Sequence, residues 1–332
     1  MSNRYVLVQW NRHKKIYDIV TLAGMVLFLT VYVGAGMIRH QSPSEISPPI
    51  LLMRGFGVLS IVMLHIILSI GPLARIDERF SPLLYNRRHL GVMFFFAAFL
   101  HGFLVVGFYG GFGSVNPLSA ILNSSGGGVP YELLGFMALI IFFVMAATSH
   151  DFWLANLGHR FWKAMHMCVY AAYTLVVLHV AFGAMQDKQG AVTPALLALG
   201  VVWLGGLHIT AGLKQRKADV AVAEADAGWI DVCEVSEIPT SRARVVRQAG
   251  HEAIAVVNNE GTITAMSNVC AHQGGPLGEG QVIDGCLTCP WHGYQYDPAT
   301  GCSPPPYTER VRTYEIRVEG GRVLLNPEPR GG

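Results

Sequence analysis

Six apolar stretches of similar length follow one another through the first two thirds of the chain, at about residues 16–38, 50–73, 90–109, 131–149, 164–185 and 193–213. Each is close to the roughly 20 residues that a bilayer core requires of a spanning helix, so the pattern predicts six transmembrane helices. Lys214-Gln215-Arg216-Lys217 closes the last of them. Residues 218–227, rich in alanine with a few acids, then read as a linker. Beyond it the long stretches give way to short alternating runs at 253–257, 263–266 and 314–318, the period-two pattern of strands. The expected organisation is a polytopic α-helical membrane domain over 1–217, the linker 218–227 and a small domain over 228–327.

Charge supports the division. Of the 332 residues 52% are hydrophobic and only 14% charged, too few charges for a soluble chain of this length. Residues 1–217 hold 16 Lys/Arg against 7 Asp/Glu, and residues 218–332 hold 8 against 15, so that +9 and −7 give the net +2. Within the first part the bases alternate sides. Arg4, Arg12, Lys14 and Lys15 precede the first span, Arg75, Arg79, Arg87 and Arg88 fill the second loop, Arg160 and Lys163 the fourth, and Lys214 to Lys217 follow the sixth. Loop 110–130 has no Lys or Arg. The positive-inside rule therefore puts both termini, and with them the C-terminal domain, in the cytoplasm. No glycine-rich phosphate loop follows a predicted strand, which leaves no nucleotide-binding domain, and nothing points to a nucleic-acid partner.

The densest chemistry lies near the C-terminus. Cys270-Ala-His272 is followed after sixteen residues by Cys289-Pro-Trp-His292-Gly293. Two thiolates and two imidazoles suit a [2Fe-2S] centre whose irons are ligated unequally, Cys270 and Cys289 on one and His272 and His292 on the other. Tetrahedral zinc accepts the same donors. Zinc does not, however, demand the tight loops supplied here by Gly274, Gly275 and Pro276 on one side and Pro290 and Gly293 on the other, with Ser303-Pro-Pro-Pro306 as a third covering loop.

Through these motifs, residues 228–327 resemble Rieske-type ferredoxin domains from Trp229 to the run at 314–318. The resemblance implies a small all-β Rieske domain after the six helices, and one-electron transfer as its work. Rieske proteins of the cytochrome bc type carry two further cysteines that form a disulfide; Gly275 and Trp291 stand at those positions, so that bridge is not expected. The loops are instead similar to the ferredoxin components of ring-hydroxylating dioxygenases. Tyr296 falls where the bc type places a tyrosine that hydrogen-bonds a ligand sulfur. Cys168, Cys233, Cys286 and Cys302 have no recognisable spacing and read as reduced or core thiols.

Histidine in a bilayer is costly without a partner, which makes each intramembrane imidazole a functional candidate. His89 and His101 lie at the start and middle of the third stretch, His166 and His179 at comparable places in the fifth. The third and fifth helices run parallel in this topology, so His89 comes level with His166 and His101 with His179. At 1.5 Å per residue each pair of levels is separated by about 18–20 Å, room for two stacked haems. His65 and His208 read as packed polar residues, with either able to replace His89 as a ligand. His150 and His159 read as solvated.

The stretches Arg87-Arg88-His89-Leu90-Gly91 running to Leu100-His101, and Thr148-Ser149 followed by Gly158, Trp162-Lys163, Met165-His166, Tyr170 and Leu178-His179, resemble the ferric-reductase-like transmembrane family. That family includes ferric reductases, NADPH oxidases and the haem-binding subunit of the methionine sulfoxide reductase system. The resemblance implies a bacterial inner-membrane protein, with His101, His166 and His179 on the family's haem-ligand positions and His89 beside them; the cofactors expected are one Rieske [2Fe-2S] cluster and one or two b haems. Where relatives carry flavin and nicotinamide domains, this chain has the Rieske domain. It is expected to be an oxidoreductase or electron-transfer component fed by a cytoplasmic ferredoxin reductase or other donor, and passing electrons to a ferric chelate, oxygen or a periplasmic redox partner at the outer face. Two alternatives stay open: a quinone-linked module that takes electrons from quinol to the Rieske domain, and a redox sensor without turnover.

Overall fold

A computed structural model describes residues 12–39, 47–80, 82–110, 113–117, 119, 121, 130–149, 153, 157, 159–186, 192–218, 223–224, 228–247, 252–272, 274–290, 293–305 and 307–330. His292, Trp291, Pro306, His150, most of loop 110–130 and most of the linker lie outside the described residues. The chain divides into two compact units, one of residues 1–70 and 86–206 and the other of residues 71–85 and 207–332.

The helical part comprises α1 (Arg12–Arg39), α2 (Pro48–Ile76), α3 (Arg87–Tyr109), α4 (Tyr131–Ala147), α5 (His159–Met167), α6 (Val169–Gln186) and α7 (Val192–Ala218). Among the described residues five apolar spans have full crossing length: those in α1, α2, α3 and α7, and the run Phe161–Gly183 formed by α5 and α6. The fourth predicted span is the 17-residue α4, at the short end of what a bilayer core accepts. Six crossings therefore stand, with one difference from the pattern. The fifth is not a continuous helix. The Cys168 N–H donates to the Met165 carbonyl only three residues back, a tightened turn that separates α5 from α6.

Large apolar side chains point outward over this part, Ile38 77% and Val202 70% exposed among them. Water would not tolerate that surface, whereas lipid does, so the chain is an integral membrane protein. The interior is built on α2, whose Leu59, Met63, Leu64, Ile67 and Leu68 are buried. Phe94 of α3 meets Phe142 of α4 edge to face, 4.8 Å between centroids. Helix α4 packs along α6 and against α3, and α1 touches α3.

The C-terminal part is all β. Seven antiparallel strands run in the order β1-β2-β10-β9-β5-β4-β3: β1 (Ala223–Glu224), β2 (Ile230–Glu234), β3 (Arg242–Val246), β4 (Ile254–Asn259), β5 (Thr262–Ser267), β9 (Thr313–Glu319) and β10 (Arg322–Pro329). A second sheet holds β6 (Gln281–Ile283), β7 (Cys286–Thr288) and β8 (Gln295–Tyr296). Strand β4 is covered on both faces. Ile254 and Val256 enter one core with Val232, Val323 and Leu325, while Ala255 and Val257 enter another with Met266, Leu277, Leu287 and Tyr296. Burial on both sides is why this strand is apolar almost throughout. Three two-residue hairpins connect neighbours: Glu260-Gly261, Asp284-Gly285 and Gly320-Gly321, all with positive φ at both positions. That is the turn whose twist matches the strands it joins, and it asks for glycine at the second place.

Candidate functional site

The second core carries the Cys/His loops. One leaves β5 and returns in β6; the other joins β7 to β8. They are built alike. The Cys270 N–H donates to the Gly275 carbonyl at 2.9 Å, and the Gly274 N–H donates back to the Cys270 carbonyl at 2.7 Å. In the second loop the Cys289 N–H donates to the Tyr294 carbonyl at 2.7 Å and the Gly293 N–H to the Cys289 carbonyl at 2.9 Å. Gly274 and Gly293 have φ of 66° and 70°, so each loop closes on a residue in the left-handed region four places after its cysteine. A side chain at either position would strain the closure.

Both cysteines are buried, each about 1% exposed, in the same apolar cluster. Gly275 and Trp291 stand where the bc-type proteins carry their cysteine pair. Tyr296 of β8 is fully buried with its hydroxyl 3.4 Å from Cys270 Sγ, and it accepts a bond from the His272 N–H at 3.3 Å. With its oxygen accepting that N–H, the hydroxyl can turn its proton to a ligand sulfur. Burial first, then the charge of Cys270, raises the Tyr296 pKa well above the ordinary tyrosine value, so the phenol remains a donor.

Two residues absent from the motif reading belong to this site. The Tyr294 ring lies parallel to His272 at 4.7 Å and 10°, and its hydroxyl donates to the Glu309 carboxylate. Burial and then Glu309 raise the Tyr294 pKa. Glu309 Oε2 also accepts the Thr308 N–H at 3.0 Å, and its carbonyl accepts the Ser303 N–H at 2.9 Å, tying the third loop to the imidazole. No local signal marks Tyr294 or Glu309, because their significance depends on strands that meet only in the fold. The chemistry of two dry thiols, an imidazole and a phenol aimed at one sulfur suits an iron–sulfur cluster bound by His272, Cys270 and Cys289, with His292 beyond the described residues.

In the membrane unit the structure brings two of the four candidate histidines together. His101 of α3 and His179 of α6 have ring centroids 6.2 Å apart, with planes at 72°. Each uses Nδ1 as a donor, His101 to the Met53 carbonyl of α2 at 2.9 Å and His179 to the Tyr131 carbonyl of α4 at 2.7 Å. That fixes the tautomer with a lone pair on Nε2, as a metal ligand requires. Two neighbouring imidazoles of this tautomer are a donor set that would hold a haem iron.

Glycines seat both rings. A Cβ at Gly57 of α2 would lie 3.1 Å from the His101 ring, and one at Gly135 of α4 would lie 2.8 Å from His179 Nδ1. Helix-interior glycine costs about 1 kcal/mol relative to alanine, and here that cost is offset by close approach of a ring to a neighbouring backbone.

His166 stacks on Trp162 at 3.8 Å and donates from Nδ1 to the Trp162 carbonyl at 3.0 Å. Trp162 in turn donates to the Thr148 carbonyl at 2.9 Å, so Thr148, Trp162 and His166 form one packed group. His166 Nε2 is buried and has no hydrogen-bond partner among the described residues. The His89 Nδ1 faces the Asp18 carboxylate of α1, at 3.0 and 3.1 Å from its two oxygens. His65 has both nitrogens engaged, Nδ1 with the Ile61 carbonyl at 2.7 Å and Nε2 with the Tyr173 hydroxyl at 3.2 Å, in keeping with a packed polar residue. His208 is half-buried.

Comparison with known proteins follows the same division. Residues 228–315 match the family model described as Rieske [2Fe-2S] domain, and residues 55–177 that described as ferric reductase like transmembrane component. The chain is 38% identical over 101 residues to the anthranilate 1,2-dioxygenase ferredoxin subunit of Burkholderia cepacia, covering 30% of this chain and 93% of the relative. It is 29% identical over 205 residues to the protein-methionine-sulfoxide reductase heme-binding subunit MsrQ of Bordetella pertussis, covering 61% of this chain and 93% of that one. Among solved structures, the complex of reduced oxygenase and oxidized ferredoxin in carbazole 1,9a-dioxygenase includes a chain that is 26% identical and wholly covered by 32% of this one, with a TM-score of 0.31.

Proposed function

Because this chain belongs to the Rieske [2Fe-2S] family and joins that domain to a ferric reductase like transmembrane component, we propose that it carries electrons across a membrane, from a cytoplasmic donor at the Rieske domain to an acceptor at the outer face. Cys270, His272, Cys289 and His292 ligate the cluster; His101 and His179 ligate a b haem; His166 and His89 ligate a second one on the cytoplasmic side. When bound, the cluster and the haems supply one-electron carriers, and this chain performs no hydride chemistry.

The observation that carries the reading is the neighbouring pair His101 and His179 at 6.2 Å, each with its tautomer held by a carbonyl from a different helix. Around the cluster, Tyr296 holds a proton against Cys270 Sγ, and the apolar residues Leu277, Leu287 and Val282 exclude water. In the membrane, Gly57 and Gly135 let the imidazoles sit against backbone, so their angles are set by rigid helices.

Bases on alternate loops put the Rieske domain in the cytoplasm, where a ferredoxin reductase or comparable donor reaches it. One relative is named as the heme-binding subunit of a protein-methionine-sulfoxide reductase, which favours a redox protein as acceptor over a ferric chelate or oxygen. The test uses inside-out vesicles of the full-length protein, supplied with a reductase and a soluble ferredoxin while haem absorbance is followed. Haem reduction that depends on Cys270, with the signal of the deep haem alone missing in His101→Ala, supports the conduit. Haems that stay oxidised under a reduced cluster and respond only to added quinol overturn it.

A further inference from the structure

An acid in a membrane-spanning helix is expensive, and α1 contains one. Asp18 lies in the apolar span Lys15–Arg39, yet its side chain is only 13% exposed and both its oxygens approach His89 Nδ1. An ion pair that merely held α1 to α3 would be a poor reason for it, because desolvating both charges consumes most of what their attraction returns.

The surroundings give a better one. His89 turns Nδ1 to Asp18, which leaves Nε2 as the nitrogen available to a metal. His166, the other histidine at this level, has its Nε2 buried with no hydrogen-bond partner among the described residues. A carboxylate behind an imidazole is the usual arrangement behind a metal-ligating histidine: it fixes ring and tautomer and makes the other nitrogen more basic. We infer that Asp18 is a positioning residue, orienting His89 toward the cytoplasm-side haem that His89 and His166 would hold. This rests on the two-haem reading above. The carboxylate strengthens the donor character of His89, which favours the ferric state and keeps the potential of that haem low.

The experiment takes full-length protein in detergent, counts haems per chain and follows each through an optical redox titration, in the wild type and in Asp18→Asn, Asp18→Glu, Asp18→Ala and His89→Ala. Wild type is expected to bind two haems. Asp18→Asn retains both but raises the midpoint of one alone, the one missing from His89→Ala; Asp18→Glu restores the wild-type midpoint. Asp18→Ala weakens binding of that same haem by about 10-fold or more. Two haems in the wild type with unshifted midpoints in Asp18→Asn overturn the role of Asp18 and leave the two-haem reading intact. Equal loss of both haems in Asp18→Ala, without a selective shift in Asp18→Asn, makes Asp18 a structural ion pair and also overturns it. One haem in the wild type ends both readings.

Discussion

Removing one oxygen from Tyr296 should lower the potential of the cluster. The hydroxyl is 3.4 Å from Cys270 Sγ, in a site where tyrosine and cysteine are almost wholly excluded from water. The sulfur becomes more negative when the cluster takes an electron, so the donor stabilises the reduced state more than the oxidised one. A hydrogen bond to a charged group contributes about 1.5–3 kcal/mol, of which only the difference between the two states counts. Taking that difference as about 1–1.5 kcal/mol, and a tenfold change as 59 mV for one electron, Tyr296→Phe should shift the midpoint down by about 40–65 mV. Because burial and Cys270 keep the phenol protonated, the difference between wild type and variant should not vary with pH. The variant also leaves the His272 N–H without the acceptor it has at 3.3 Å, costing about 1–3 kcal/mol of stability. Protein-film voltammetry of the two proteins, with optical and EPR spectra to establish that the cluster is intact, makes the comparison. An unchanged or raised midpoint with an intact cluster refutes the reasoning.

The C-terminal fragment from residue 218 should bind iron and sulfide and give the EPR signal of a mixed-ligand [2Fe-2S] cluster on reduction; stoichiometric zinc in protein made with ample iron would show that the quartet is a structural site. Gly135→Ala places a methyl 2.8 Å from His179 Nδ1, an overpacking worth about 1–3 kcal/mol, and should displace the same haem that His101→Ala and His179→Ala abolish. Pyridine haemochrome content would count against the pairing if Gly135→Ala and His101→Ala depleted different haems. Gly293→Ala, at φ 70°, should cost about 1–2 kcal/mol and lower cluster occupancy, read from the iron content of purified protein; full occupancy would mean that the loop closes without glycine there.

Local properties account for what could be read from the chain. A helix crosses lipid if about 20 consecutive residues are apolar, whatever lies beside it, so the spans were visible without a fold. The Rieske loops close within five residues of each cysteine, and the glycines that permit closure sit in the motif itself. The hairpins at Asp284-Gly285 and Gly320-Gly321 are short-range for the same reason. Helical rotation and depth are another matter. Helices that are apolar all round carry no stripe to say which face meets which neighbour, so that Met53 and Tyr131 hold His101 and His179, that Gly57 and Gly135 seat them, and that Asp18 turns to His89 are decided only by packing between helices. The turn at Cys168 likewise interrupts a run that is long and apolar enough to read as one span. In the β part, Tyr294 comes to lie on His272, and Glu309 on Tyr294, because loops from different strands converge beside the cluster loops. Contacts of this kind join positions whose separation along the chain places no constraint on their distance in space, and the tertiary structure alone supplies it.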